Sequence, residues 1–409
     1  MSAEASVVVT GLGTVSAAGV ARPALEAALR HGEPRSTPID RSTGHHAPQA
    51  ACTAALVGDL DLRPFIPPLE ARRMSPASRY AVVAARTALD DAGLDVRDES
   101  DAGIVVVVAS AFGPAAFSQR LLDQILDEGP TVASPSLFTE CVANAPAARV
   151  ALACRATGPN LTIVQGEAGP LRAVAHGAAE VAAGGCWLAL VGATEELTPL
   201  LHAILDRFRA LARPRGEAAE RARPFDRRRD GVLAAEGATL LALEAEAAAR
   251  RRGAGILARV RGGWSAFDAS APASGWGRGE ERLAGELVKG LERHGLAPAD
   301  VDRIVSGASG SRAGDRLEAL VLRRAWGARR LPPILAPKAT TGEYGGAFLG
   351  AAVLALAGTG WGPTAGFEET DPELEVRPHD GSPLEPARRV LVSGLAAGGA
   401  ASWLILERP

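Results

Sequence analysis

Short, continuously apolar runs alternate along this chain with longer amphipathic or alanine-rich stretches. The runs at Val7, Gly103–Ser110, Leu161–Val164, Trp187–Gly192, Val301–Ser309, Pro333–Lys338 and Arg389–Ser393 are flanked by turn residues and read as buried strands. Between them lie helical stretches, among them Gly169 to Ala183 and Gly346 to Gly358, in which alanine allows backbones to approach closely. Strands apolar on both faces, alternating with helices, imply sheets covered on both sides.

The order of elements occurs twice. Ala88 to Leu94 precedes the Gly103 run, and Leu291 to Leu296 precedes the Val301 run; each reads as helix, glycine stop, short loop and strand. Leu161–Val164, its alanine-rich helix and Trp187–Gly192 recur as Pro333–Lys338, Gly346–Gly358 and Arg389–Ser393. The pattern predicts a duplicated α/β fold with layers α-β-α-β-α, divided into residues 1–254 and 255–409 after a helical stretch from Glu244 to Arg252. The polar run from Arg213 to Arg229 reads as a solvated loop, with a docking surface for an acidic carrier protein as the alternative.

Composition narrows the classes. The chain has 409 residues, 47% of them hydrophobic, enough for a sizeable core. No apolar run approaches the roughly 20 residues of a membrane helix, and the start lacks the basic-then-apolar order of a signal peptide. A soluble cytoplasmic protein without a membrane partner is expected. A net charge of −3 gives no electrostatic reason to expect nucleic acid. Cys52, Cys141, Cys154 and Cys186 lack the spacing of a disulfide framework or a zinc site. Only two lysines occur, Lys289 and Lys338, which draws attention to the setting of the second.

Two motifs bear on chemistry. Val7 to Ser16 offers Gly11 and Gly13 but serine where the dinucleotide fingerprint needs its third glycine, so NAD binding is not expected and a strand-to-loop turn is the better reading. Leu161 to Pro170 reads as strand, tight turn and helix start, the way thiol-based condensing enzymes present a cysteine, yet the turn carries Glu167. A carboxylate cannot hold an acyl group as a thioester.

From end to end the chain resembles the β-ketoacyl-ACP synthases. The resemblance begins in the Val7–Ser16 opening. It continues through Arg72 to Pro76, Ser134 to Phe138 with Asn144, Gly158 to Asn160, Gly192 to Glu195, Arg223 to Gly231 and Ala235 to Ala238, all in the family's order. It implies a thiolase-like duplicated α-β-α-β-α fold. It also implies that the family's cysteine and two histidines are matched here by Glu167, Gly307 and Glu343, and its gate phenylalanine by Ala397. Lys338, Asp315, Glu318 and Glu236 match framework positions. Glutamate in place of cysteine, with both histidines gone, is similar to the chain length factor, or ketosynthase β subunit, of type II polyketide systems.

That resemblance implies a non-catalytic subunit. It would pair with a catalytic Cys-His-His ketosynthase and wall off its acyl tunnel, in polyketide or fatty-acid-like synthesis. Leu161–Val164 would lie at the dimer interface, and Glu167, Phe138, Cys141, Asn144, Thr162 and Ala397 at the tunnel or interface. Substrates would arrive on an acyl carrier protein, whose phosphopantetheine arm leaves this chain needing no cofactor or metal of its own. Glu167 either fills the space of a thiol and caps the next helix or pairs across the subunit interface. Two other readings stay open: a malonyl-ACP decarboxylase or acyltransferase using Glu167, and a homodimeric scaffold that grips acyl carriers. Cys141 and Cys154 lack a strand–turn–helix elbow, Cys186 reads as core, and His176 and His202 fall in helical stretches.

Overall fold

The computed structural model describes residues 5–96, 103–214, 220–357 and 360–409. Ten strands form the body of its large sheet. They are β1 (Val7–Ser16), β2 (Ile104–Ala109), β3 (Asn160–Ile163), β4 (Leu188–Glu195), β5 (Gly237–Ala245), β6 (Ala258–Phe267), β7 (Arg303–Ser306), β8 (Ile334–Leu335), β9 (Arg389–Leu395) and β10 (Ala400–Glu407). The spatial order is β8-β7-β9-β10-β6-β1-β5-β4-β2-β3. Five strands on one side, β3-β2-β4-β5-β1, mirror five on the other, β8-β7-β9-β10-β6, with the same parallel and antiparallel pairings in each. The two sets meet where β1 runs antiparallel to β6 from Val7 to Val9.

The helices that cover the sheet are α1 (Pro76–Ala92), α2 (Ala115–Glu128), α3 (Ala145–Ala153), α4 (Gly169–Ala182), α5 (Glu280–Arg293), α6 (Arg312–Trp326) and α7 (Leu349–Leu354). Alternation along the strands sorts them into layers. Val105 and Val107 of β2, with Val390 and Val392 of β9, enter one core with Leu171 and Val174 of α4 and Val353 of α7. Ile104, Val106 and Val108 turn the other way, onto α1 and α3. Leu391 and Ile405 turn outward onto the leucines of α5 and α6. Helices α4 and α7 therefore lie between the half-sheets, with one helical layer outside each. This is the duplicated α-β-α-β-α arrangement that the repeat predicts.

Several local expectations are corrected. Val7 to Ser16 is one unbroken strand, not a strand-to-loop turn. A Cβ on Gly11 would sit 2.0 Å from the Ala88 carbonyl oxygen, and one on Gly13 1.9 Å from that of Ala84, so the glycines let α1 lie directly on the β1 backbone. Glu244 is not helical; it lies within β5, where its carboxylate accepts from Thr10 Oγ1 at 2.5 Å and binds Arg252, and the helix runs only from Glu246 to Arg251. The alanine-rich run from Gly346 yields only the short α7, because residues 345–348 turn first; its expected end, Gly358, lies outside the described residues.

The run from Arg213 to Arg229 is not a solvated loop where it is described; residues 215–219 lie outside the description. Glu220, Phe225, Asp226 and Arg229 are buried. Glu220 accepts the Cys52 and Thr53 amides at 2.8 Å, Asp226 those of Glu368 and Glu369 at 2.6 Å, and Arg229 pairs with Asp371 at 2.6 Å. The charges of this run hold neighbouring backbone inside the molecule, which composition alone could not distinguish from hydration.

Candidate functional site

The site is assembled where β3, β8 and β9 end. After β3 the chain makes a 3-10 turn, Gly166–Ala168, before α4 begins. Gly166 has φ 49°, a left-handed conformation that favours glycine. The turn is held against the end of β9: a Cβ on Gly394 would lie 2.8 Å from the Glu167 carbonyl oxygen, and one on Gly166 3.2 Å from Ala396 Cβ. Glu167 is half-buried in the first turn of this 3-10 segment, and Ala168 stands at the N-cap of α4.

Lys338 follows β8 and is fully buried. Its Nζ donates to Glu343 Oε1 at 2.6 Å and lies 4.9 Å from the centroid of the Phe348 ring. Glu343 is fixed through its backbone, donating to Leu233 O at 2.7 Å and accepting from Ala235 at 3.1 Å. Among the described residues its Oε2 has no hydrogen-bond partner. Burial, then repulsion from Glu343, raises the Glu167 carboxyl to about 7, against the attraction of Lys338. The Lys338–Glu343 pair is thus the charged contact of the site, and Glu167 feels both its charges.

Gly307 follows β7 in a tight place: a Cβ there would sit 2.9 Å from Ser393 O and 3.4 Å from Gly394 Cα. Next to it, buried Glu318 of α6 faces the hydroxyls of Ser306 and Ser393, and burial raises it to about 7. Asp315 accepts amides from Phe225 at 2.9 Å, Ser309 at 3.1 Å and Gly310 at 3.2 Å, closing the loop after β7; burial raises it to about 6. Phe225 carries φ 61°, a conformation Asp315 helps to hold. Glu236 stands apart from this cluster and accepts from Val57 N–H at 3.0 Å, Leu197 N–H at 3.2 Å and Tyr80 Oη at 3.1 Å.

Among the described residues no cysteine thiol stands in the turn beside these groups. Burial raises all four thiols, Cys154 and Cys186 to about 11, and Cys141 donates its S–H to Leu137 O. His202 is buried and hydrogen-bonded to His46 at 2.9 Å, and His176 faces Glu180 at 3.6 Å. The cluster can hold and move protons; it offers no thiolate and no imidazole.

The remaining candidates lie around an open edge. Among the described residues β3 pairs with β2 alone, and Leu161 and Val164 are exposed at 37% and 58%. Phe138 is exposed at 61%, Asn144 and Ala397 are exposed, and Cys141 and Thr162 are half-buried, the Thr162 hydroxyl without a partner among the described residues. Phe112, 53% exposed, joins this face: the Ser110 amide donates to Ile163 O at 3.1 Å, and Gly113 lies against Ala143. Sequence reasoning missed Phe112. An aromatic between an apolar strand and a Gly-Pro turn was the available signal.

Among the described residues no group of His, Cys, Asp and Glu could hold a metal ion, and no helix is long and apolar enough to cross a membrane. The family pattern for the beta-ketoacyl synthase N-terminal domain matches residues 4–249, and that for the C-terminal domain matches residues 257–366. The chain belongs to the β-ketoacyl synthase family. It is 30% identical to the tetracenomycin polyketide synthase ketoacyl synthase alpha subunit of Streptomyces glaucescens, over 100% of this chain and 98% of that one. It is 34% identical to a putative polyketide beta-ketoacyl synthase 2 of Streptomyces halstedii, over 87% and 84%. The solved structure of the ishigamide ketosynthase/chain length factor matches with a TM-score of 0.88 at 29% identity, covering 100% of both chains.

Proposed function

We propose that this chain is a chain length factor: a non-catalytic subunit that pairs with a Cys-His-His ketosynthase in the cytoplasm and forms part of the wall of its acyl tunnel. Family membership fits catalytic synthases and chain length factors alike, so the choice between them rests on the site residues. The observation that carries the reading is the buried Lys338–Glu343 ion pair beside Glu167, where the family's condensation chemistry requires a thiolate and two imidazoles. Gly307 adds support, because even a Cβ there meets the Ser393 carbonyl at 2.9 Å. The exposed apolar residues along the open β3 edge support a partner that covers them. The acyl chain would be delivered by a carrier protein, as the family resemblance implies.

The test is capture of the chain from its native cells followed by native mass spectrometry. A one-to-one complex with a Cys-His-His ketosynthase is expected, with no condensation by this chain alone and none by Glu167→Cys alone. Turnover of malonyl-ACP by the isolated chain, abolished in Glu167→Ala, would instead establish the decarboxylase reading. A homodimer indifferent to any ketosynthase would establish the scaffold reading.

A further inference from the structure

Two buried carboxyl groups outside the ion cluster hold the segment that carries Phe112. β4 ends in Glu195, and Glu196 follows it; they are 4% and 1% exposed. Glu195 accepts from the Ala111 amide, from the Phe112 amide at 3.3 Å and from Ser110 Oγ at 3.2 Å. Ser110 Oγ in turn accepts from the Gly113 amide at 2.9 Å. Glu196 accepts from the Ala116 amide at 2.5 Å, in the first turn of α2, and from the Ala77 amide at 2.8 Å. No side chain at Pro114 caps α2, so its start depends on this distant acceptor. Both oxygens of the Glu195 carboxyl group face donors, whereas a carboxamide has one accepting oxygen and turns its own N–H toward a donor.

The held segment runs along the open face. Phe112 projects from it, more than half exposed, between amides bound on both sides. Resting on the reading of this face as the partner-facing wall, we propose that Glu195 and Glu196 are positioning residues that fix Phe112 against the partner's acyl tunnel and so set product length. They touch neither substrate nor reacting atoms; they act through the backbone of residues 111–116.

The experiment uses the complex with its condensing partner and reads the lengths of carrier-bound products by mass spectrometry. Glu195→Gln leaves total elongation within about twofold and lowers the share of native-length product about threefold or more. Phe112→Ala shifts length in the same direction, and the double variant shifts it no further, because both act on one element. Ser110→Ala, which removes the Gly113 acceptor and one donor to Glu195 but leaves Glu195 holding the Ala111 and Phe112 amides, shifts length less. In the purified chain, Glu195→Gln speeds amide exchange at Ala111–Gly113 by about tenfold. Glu236→Gln, a buried carboxylate holding the amides of Val57 and Leu197, controls for destabilisation and leaves product length unchanged.

Unchanged lengths in a folded, elongating Glu195→Gln complex, additive shifts in the double variant, or the same shift in Glu236→Gln overturn the proposal. Absence of any condensing partner defeats the underlying functional reading instead. In that case unchanged exchange at Ala111–Gly113 in Glu195→Gln separately overturns the positioning role.

Discussion

The two outer strands of the duplicated sheet, β3 and β8, occupy matching places and meet opposite fates. Among the described residues nothing pairs with the outer edge of β3, and Leu161 and Val164 are exposed. β8 is buried at both Ile334 and Leu335, and its outer edge is covered by the chain near Pro378, where the His379 amide donates to Ile334 O at 2.8 Å. The turn after each strand carries a residue of the candidate site. Glu167 follows the open edge and is half-buried; Lys338 follows the closed edge and is fully buried. Duplication supplies one topology twice, and the covering segment decides which copy keeps an exposed apolar edge. An uncovered apolar edge is a liability in a lone chain, which is why the comparison bears on function.

The largest effect should come from placing a charge in the closed edge. Leu335→Arg buries an unpaired cation where Leu335 is 1% exposed, and loss of soluble folded protein is expected by circular dichroism. The matching change in the open edge, Val164→Arg, should leave the melting temperature within a few degrees and abolish one-to-one assembly in native mass spectrometry. If both variants fold and assemble alike, the contrast between the edges fails.

Next comes the ion pair at the closed edge. Lys338→Met strips Glu343 of its cation and should cost about 3–5 kcal/mol in denaturant unfolding. The double variant Lys338→Met/Glu343→Leu should recover much of that loss, because it leaves no charge behind at either position.

A smaller effect concerns pH. Burial holds the folded Glu167 carboxyl at about 7, above the ordinary 4.5, so the folded state binds its proton more tightly than the unfolded state does. That contribution is fully present below the unfolded value and is lost as pH rises through about 7. Glu195, Glu196 and Glu318 are raised in the same direction, to about 8, 7 and 7. Stability should therefore decline from pH 6 to pH 9, and Glu167→Gln should make that decline shallower without removing it. An unchanged slope would mean that Glu167 titrates as an ordinary surface acid.

The smallest effect is at Gly307. Its added Cβ would meet Ser393 O at 2.9 Å, so Gly307→Ala should cost about 1–3 kcal/mol through a forced backbone shift. A neutral result would show that the loop after β7 gives way easily, and would weaken the argument that this position has no room for a histidine.

Much of this was legible in the residues themselves. Apolar strands, glycine stops and alanine-rich helices recurring in one order determined a duplicated, layered α/β fold, because period and punctuation are local properties. The turn carrying Glu167 between β3 and α4 was legible for the same reason. Partners brought together from distant places were not. That Lys338 pairs with Glu343, that Arg229 turns inward to Asp371, and that Glu195 holds the amides of Ala111 and Phe112 were decided only by the tertiary structure. Charge alone does not say whether a polar side chain is hydrated or hydrogen-bonded within. Nor did the pattern of apolar residues distinguish β3 from β8, since both read as buried strands. Only the packing of the segment near Pro378 over one of them left the other edge open.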